Sequence, residues 1–229
     1  RKRKSQKRKL QLKLPRINVK KFDNIVFLGM GGSAAAGEIF ADYYQEKPVF
    51  IIKSYDIPKW VNKKSLLFVM SYSGNTEETT SMYNQAKKRG CKIIIVTSGG
   101  FLGKIKDAII IKEGMQPRDA LPSMLLPVLR ILGLNKDIKS LIGMENKIDR
   151  NLVKKLAEKL YNGNAVIYGS NQRLYGLARI WKMYLNENAK MLAHTGFFSE
   201  ANHNELEANL NNHNIILLRN KENPRLEKQ

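Results

Sequence analysis

The stretch at residues 66–79 constrains the fold of this chain most, because an apolar run ends there abruptly in hydroxyls, a glycine and a helix start. Its first five residues, 66–70, are all apolar, which is typical of a strand that helices bury on both faces of a parallel sheet. In such sheets the residues after a strand reach the crevice where ligands bind. The stretch therefore predicts a strand, a binding loop and a helix, in that order.

The loop at residues 71–76, which we call the hydroxyl loop, has the composition of a phosphate site. Ser71, Ser73 and Thr76 supply three hydroxyls, and Gly74 lets the backbone approach a ligand closely. Free amides at the following helix start attract an anion. Two acidic residues in that first turn would satisfy the helix end without a ligand, but a simple cap needs one hydroxyl rather than three. Because the loop carries no lysine or arginine, it suits a phosphorylated metabolite better than a nucleic acid.

The basic charge of the chain is concentrated near its first residues. The net charge is +20, and residues 1–21 carry eleven lysines or arginines and no acid. We interpret residues 1–22 as a basic arm and expect no specific nucleic-acid partner. The chain lacks a run of about eighteen apolar residues, and its single cysteine, Cys91, excludes an internal disulfide. We therefore expect a soluble, cytoplasmic protein without membrane contact.

From residue 23 onward, apolar strands alternate with helical segments. This alternation predicts an α/β fold in which a doubly wound parallel sheet is flanked by helices as an αβα sandwich. In the first domain, 23–145, strands are predicted at 24–28, 48–53, 66–70, 92–96 and 108–111, and helices at 29–44, 76–88 and 125–134.

The same pattern begins again after a predicted linker at 146–150. A strand again runs into a glycine and a serine, here Gly169 and Ser170. Because two clear strands are too few for an independent parallel sheet, we expect the second domain, 151–229, to be incomplete. Its predicted elements are a helix at 151–161, a strand at 164–168, a helix at 174–188 and a strand at 214–219.

A glycine-rich turn between the first strand and the first helix has two interpretations. The Gly-x-Gly-x-x-Ala pattern at residues 29–34 matches the dinucleotide-binding motif, but that motif places an acid at the end of the second strand, where this chain has Lys53. Lys53 keeps an NADP-binding reductase open as an alternative. We favour the interpretation that Gly31, Gly32 and Ser33 line the same crevice as the hydroxyl loop, so that both face one sugar phosphate.

Beyond the two loops, the chain contains three further short polar motifs. In order, the five are Gly29-Met-Gly-Gly-Ser33, Ser71-Tyr-Ser-Gly-Asn-Thr-Glu-Glu-Thr79, Gln116-Pro-Arg118, Asn186-Glu-Asn-Ala-Lys190 and Asn202-His-Asn-Glu205. Read together, they resemble the sugar isomerase (SIS) domain, and in particular the family of bifunctional phosphoglucose/phosphomannose isomerases, which contain two SIS domains. The chain departs from that family at Ser199, where a proline commonly precedes the glutamate.

The resemblance implies a homodimeric enzyme with its site near the subunit interface and no metal or cofactor. It would interconvert glucose 6-phosphate, or mannose 6-phosphate, with fructose 6-phosphate. This reaction moves a proton between C1 and C2 through an enediol, so it requires a base, a group that opens the sugar ring and a cation near the oxyanion. By motif, the resemblance makes Glu187 the base, His203 the ring-opening acid/base and Arg118 the cation. It also implies that Ser33, Ser71, Ser73 and Thr76 bind the phosphate and that Gly31 and Gly32 line the substrate.

Simpler roles for the three catalytic candidates stay open at the level of sequence. The position of Glu187 also fits a non-catalytic residue at the end of a helix, and that of His203 also fits an exposed histidine in a loop. Arg118 is compatible with a local ion pair to Asp119 or Glu113. The corresponding alternative function is a sugar-phosphate-binding SIS protein without catalysis, beside the less favoured NADP-binding reductase.

Overall fold

The computed structural model describes residues 14–161, 163–208 and 213–220. Most of the predicted basic arm, residues 1–13, lies outside these ranges. The described chain contains two parallel sheets. Their strands are β1 (Asn24–Gly29), β2 (Val49–Ile52), β3 (Ser65–Met70), β4 (Lys92–Thr97), β5 (Ile109–Ile110), β6 (Asn164–Gly169), β7 (Ala193–Phe197) and β8 (His213–Leu218).

The first sheet has the strand order β2-β1-β3-β4-β5, and all its strands are parallel. β1 lies beside β3, and their last residues, Gly29 and Met70, are paired, so the two strands end level with each other. The chain order reverses between these strands, which is where open α/β sheets bind ligands. The glycine turn after β1 and the hydroxyl loop after β3 therefore share one edge of the sheet.

Helices cover both faces of the first sheet because its strand side chains alternate between two apolar layers. Helices α1 (Gly31–Tyr43) and α4 (Leu121–Ile131) pack over the face that carries Phe27 and Phe68. Helices α2 (Glu77–Lys88) and α3 (Gly100–Gly103) pack over the face that carries Leu28 and Val69. The predicted α/β class, with parallel sheets flanked by helices, is confirmed. The helices of the described ranges are α1 (Gly31–Tyr43), α2 (Glu77–Lys88), α3 (Gly100–Gly103), α4 (Leu121–Ile131), α5 (Asn135–Leu141), α6 (Arg150–Leu160), α7 (Tyr175–Tyr184) and α8 (Phe198–Ala201).

The second sheet has the order β7-β6-β8, again with parallel pairing. α6 and α7 cover one face, where Leu160 and Ala178 pack against Ala165 and Ile167. The opposite face has a smaller cluster in which the short helix α8 packs against β6. β7 is absent from the sequence prediction, because its residues, Ala-His-Thr-Gly-Phe, do not form an apolar run.

Two predicted helices have different bounds in the structure. α4 begins at Leu121 rather than at residue 125, because Pro122 suits the first turn of a helix, where a missing amide costs no hydrogen bond. α7 ends at Tyr184 rather than at residue 188 and continues as a π-helical turn at Leu185–Ala189. The predicted linker at 146–150 contains the end of a 3₁₀ turn and the first residue of α6.

The two halves of the chain meet where α1 packs against α7. Gly176 permits the close approach, because a Cβ atom there would lie 2.7 Å from the Glu38 carbonyl oxygen. The Asp42 carboxylate of α1 accepts a hydrogen bond from the Leu177 amide at 3.1 Å, so a residue of the first half caps the helix of the second. This junction fixes the position of α7 beside the carboxyl edge of the first sheet.

Candidate active site

The hydroxyl loop is held by its own side chains. Ser71 is fully buried, and its Oγ accepts a hydrogen bond from the Gly74 amide at 3.1 Å. The same Oγ shares a hydrogen bond of 3.0 Å with Oγ1 of Thr76. Ser73 is exposed, and its Oγ accepts from the Asn75 amide at 3.3 Å. The loop is therefore preorganised, with the Ser73 hydroxyl at its surface.

Gly74 is required by the geometry of this loop. Its φ is +69°, and a Cβ atom there would lie 1.9 Å from the carbonyl oxygen of Gly99. The Thr97 hydroxyl donates to that same carbonyl at 3.0 Å. Because backbone rather than a flexible side chain occupies the space, no residue with a Cβ atom fits without moving the loop.

Ser33 joins the glycine turn to the hydroxyl loop. This residue lies in the first turn of α1, and its Oγ accepts a hydrogen bond from the Tyr72 amide at 2.9 Å. A hydroxyl that accepts a bond still has its own proton to donate. The four residues predicted to bind phosphate thus lie on two chain segments in direct contact, and the hydroxyl of the fully buried Ser71 is bonded within its own loop.

The glycines of the turn face two different neighbours. A Cβ atom on Gly32 would lie 3.0 Å from the backbone of Arg118, so the absence of a side chain lets the segment before α4 approach α1. Gly31 has a φ of +48° and lines a cavity between the two halves of the chain. The glycine turn therefore lies between the hydroxyl loop, Arg118 and this cavity.

Arg118 and Glu187 come together across the two halves of the chain. Nη1 of Arg118 lies 3.2 Å from Oε2 of Glu187, and Nε of Arg118 donates to Oδ1 of Asn188. The backbone carbonyl of Arg118 accepts a hydrogen bond from the Tyr184 hydroxyl at 3.0 Å. Burial, together with the nearby carboxylates of Asp119 and Glu187, raises the pKa of Tyr184 and keeps this donor protonated. The partner of Arg118 is thus Glu187, rather than the local acids that the sequence left open.

Glu187 lies in the π-helical turn instead of the regular helix that its position predicted. Its side chain is 41% exposed, and its carbonyl oxygen accepts from Nζ of Lys190 at 2.6 Å. Lys190 adopts a left-handed conformation with a φ of +58°. Single π-helical turns occur often at functional sites, because they turn one or two side chains away from the helical register. Here the turn directs Glu187 and Asn188 to Arg118.

A cavity of about 460 Å³ extends from Glu187 along the α1–α7 junction. Within it the buried carboxylate of Glu38 binds Lys53 at the end of β2 and lies 3.2 Å from Nη2 of Arg179 on α7. Because Lys53 is paired with Glu38, its charge is already neutralised, and this weakens the alternative in which Lys53 binds the 2′-phosphate of NADP. The walls of the cavity are formed by Gly31, Glu38, Lys53, Tyr175, Arg179, Lys182, Met183, Asn186, Glu187 and Thr195.

His203 lies apart from Arg118 and Glu187 in this chain. Glu187 precedes the start of β7, where Oδ1 of Asn186 accepts from the Ala193 amide at 3.0 Å, whereas the exposed His203 follows the end of that strand and α8. The structure therefore brings together two of the three catalytic candidates, whereas β7 and α8 separate His203 from Glu187 along the chain.

Curated relatives identify the family. A protein of Thermoplasma volcanium named bifunctional phosphoglucose/phosphomannose isomerase is 44% identical over 201 residues, which cover 82% of this chain and 64% of the relative. A protein of the same name from Caldicellulosiruptor bescii is 37% identical over 83% of the chain and 64% of the relative. The chain belongs to the bifunctional phosphoglucose/phosphomannose isomerase family.

Domain families match both halves of this phosphoglucose/phosphomannose isomerase family member. The SIS domain family matches residues 18–126, and the bacterial phospho-glucose isomerase C-terminal SIS domain matches residues 149–229. The chain spans 60 to 65% of the length of the curated relatives that it matches, among them a D-glucosamine-6-phosphate 4-epimerase of Sulfolobus acidocaldarius at 31% identity over 82% of the chain and 65% of the relative.

Solved structures agree on the fold of this family member. A glucosamine-6-phosphate deaminase of Thermotoga maritima superposes with a TM-score of 0.73 at 18% identity, covering 91% of this chain and 72% of the other. A tagatose-6-phosphate ketose/aldose isomerase of Escherichia coli gives a TM-score of 0.63 at 16% identity over 92% and 65%. None of the helices in the described ranges has the length and apolar character needed to cross a bilayer.

Sequence reasoning missed Tyr184 and Asn188, which both contact Arg118. The motif at residues 186–190 was visible, but a role was assigned to its glutamate alone. Tyr184 belongs to the apolar positions of the helix predicted at 174–188, and that spacing describes the packing of its ring but says nothing of its hydroxyl. Contacts between residues about seventy positions apart become visible once the two halves of the chain are docked.

Proposed function

We propose that this chain catalyses aldose–ketose isomerisation of hexose 6-phosphates, interconverting glucose 6-phosphate, and also mannose 6-phosphate, with fructose 6-phosphate. The observation that carries the proposal is the approach of Arg118 and Glu187 to 3.2 Å beside the glycine turn, which itself contacts the hydroxyl loop. A base, a cation and a set of hydroxyl donors for phosphate thus lie along one edge of the sheet. The names of the curated relatives agree with this chemistry.

In the proposed mechanism the phosphate group binds at the hydroxyl loop and leaves C1 and C2 near Glu187. Donors there include Ser33 and Ser73, with the amides at the start of α2. Neutral donors suit a phosphate monoester, which needs orientation more than charge neutralisation when the reaction takes place several atoms away. Binding energy at the phosphate therefore positions the reacting carbons.

The Glu187 carboxylate is placed to move the proton. It takes the C2 proton of the open-chain aldose, and the electrons of that C–H bond form the C1–C2 double bond of an enediolate. Arg118 stabilises the negative charge on the enediolate oxygens. After the O2 proton has moved to O1, Glu187 returns its proton to C1 and the ketose is formed. The overall step conserves atoms and electrons without a co-reactant.

We assign ring opening to His203 of a second copy of the chain. His203 is exposed and follows β7 and α8, whereas Glu187 precedes β7, and this separation along the chain supports a histidine from another copy. A two-fold dimer supplies it reciprocally, because each copy then gives its histidine to the other. A cytoplasmic homodimer with its sites at the subunit interface is part of this proposal.

Incubation of the purified protein with fructose 6-phosphate in deuterium oxide tests the function. We expect glucose 6-phosphate and mannose 6-phosphate as products, with solvent deuterium at C2, because the enediol exchanges its proton through the base. The Thermoplasma volcanium relative serves as the positive control. Binding of fructose 6-phosphate without any product would favour the non-catalytic SIS protein, and oxidation of NADPH in the presence of a sugar phosphate would favour the reductase.

A further inference from the structure

Four of the five side chains at residues 186–190 make a polar contact with another described residue. Asn186 anchors the start of β7 through the Ala193 amide, and Lys190 closes the π-helical turn on the Glu187 carbonyl. Asn188 takes part in neither of these contacts, and its Oδ1 accepts the Nε hydrogen of Arg118. The turn is therefore already held without Asn188, whose contact serves the arginine instead.

Arg118 is fixed at both ends of its side chain. Its backbone is held by the Tyr184 hydroxyl on one side and by the close approach of Gly32 on the other. Its guanidinium carries five N–H donors, of which one goes to Asn188 and one to Glu187. With respect to residues 14–161, 163–208 and 213–220, three donors are left for the oxygens of a substrate.

The two contacts of the guanidinium have different fates during the proposed reaction. Glu187 must turn toward carbon to take a proton, and it loses charge when it does so, which weakens its bond to Arg118. Asn188 is neutral and takes no part in proton transfer, so its bond to Nε persists.

We propose that Asn188 is a positioning residue that keeps the Arg118 guanidinium aimed at the enediolate while Glu187 carries the proton. This inference rests on the proposed isomerase function. Tyr184 assists by fixing the backbone from which the arginine extends. A residue in this role affects the transition state more than the ground state, so its removal lowers kcat while KM changes little.

The test compares Asn188→Ala and Asn188→Asp with the wild type in steady-state isomerisation of fructose 6-phosphate. Asn188→Ala should lower kcat about tenfold or more with KM within about twofold, since a misdirected catalytic group costs one to two orders of magnitude. Asn188→Asp keeps the Oδ1 acceptor and should recover most of that loss. Asn135→Ala, at an exposed asparagine of α5, is the matched control and should be unchanged.

A second variant separates positioning from local packing. Tyr184→Phe keeps the ring and removes the hydroxyl that holds the Arg118 carbonyl, so it should lower kcat in the same sense as Asn188→Ala. Wild-type kcat in Asn188→Ala, or equal losses in the alanine and aspartate variants, would overturn the inference while leaving the isomerase function intact. An inactive wild type would instead defeat the proposed function, and the inference would fall with it.

Discussion

At the scale of single residues, Glu187 distinguishes an enzyme from a binding protein. Glu187→Gln keeps the shape of the side chain and an oxygen that can accept from Arg118, but it removes the carboxylate that we propose as the base. We expect kcat to fall by at least about 10²-fold while the affinity for glucose 6-phosphate stays nearly constant. Steady-state kinetics and calorimetry measure the two quantities. Glu200→Gln, at an exposed glutamate of α8, is the control, and unchanged turnover in Glu187→Gln would contradict the assignment.

The hydroxyl loop gives a second prediction at this scale. Replacing Ser73 and Thr76 together by alanine should weaken glucose 6-phosphate binding by about 2–4 kcal/mol, the value of two hydrogen bonds to a charged group. Calorimetric titration measures the loss. The fold should persist, because the buried Ser71 hydroxyl and its bond from the Gly74 amide are kept. Ser140→Ala, in α5, is the control, and equal affinities for all three proteins would exclude phosphate binding at this loop.

The residues of the hydroxyl loop could be predicted from sequence because they are local. Ser71 and Thr76 are five positions apart, and a strand before them and a helix after them leave few ways to arrange the segment. The pairing of Arg118 with Glu187 could not be derived in this way. It spans 69 positions and depends on the docking of α7 on α1, for which the sequence carries no local signal.

At the scale of elements, the same distinction between local and tertiary causes explains which parts of the fold were predictable. The strands with continuous apolar runs, such as β3, were visible because helices bury them on both faces. β7 was not predicted, because it lies at the edge of its sheet and its sequence includes His194 and Gly196 instead of a continuous apolar run. The π-helical turn at Leu185–Ala189 was equally hidden, because its apolar spacing still resembles a regular helix while its contacts with Arg118 are tertiary.

The cap of α7 predicts an effect of pH on stability. Burial at the α1–α7 junction raises the pKa of Asp42 from 3.8 to about 6, against the lowering effect of the Leu177 and Gly176 amides. An acid whose pKa is raised on folding stabilises the folded state fully below its unfolded pKa and loses that contribution as pH rises through the folded value. Between pH 4 and 6 the Asp42 contribution should therefore decrease, because a partly buried carboxylate becomes charged.

Asp42→Asn keeps the acceptor for the α7 amides without the charge, so it should be more stable than the wild type at pH 7. We expect a gain of about 1 kcal/mol, discounted for solvent screening because Asp42 is only half-buried. Urea unfolding of both proteins from pH 4 to pH 7 measures the difference, which should vanish near pH 4. Asp149→Asn, at an exposed cap of α6, should show no such gain. A pH-independent difference at Asp42 would argue against titration of this carboxylate.

At the scale of the whole molecule, the site depends on how two halves of one chain are joined. The buried Glu38 carboxylate binds Lys53 of the first half and Arg179 of the second, and the Asp42 cap lies one helical turn further along α1. Removing one partner of a buried ion pair leaves an uncompensated charge and lowers the free energy of unfolding, so these contacts favour a single docked arrangement of the two halves. That arrangement brings Glu187 to Arg118, whereas His203 of the same chain follows β7 and α8.

Mixing two inactive variants therefore tests whether the site is shared between copies. If Glu187 of one copy works with His203 of another, a hybrid dimer of Glu187→Gln and His203→Ala contains one doubly altered site and one intact site. Random exchange makes about half of the dimers hybrid, so about a quarter of the wild-type turnover should return, assayed with ring-closed substrate. Mixing Glu187→Gln with Arg118→Ala is the matched control and should restore nothing, because those two residues lie in the same copy. Native mass spectrometry establishes that hybrids have formed, and hybrids without recovered activity would show that His203 does not complete the site in trans.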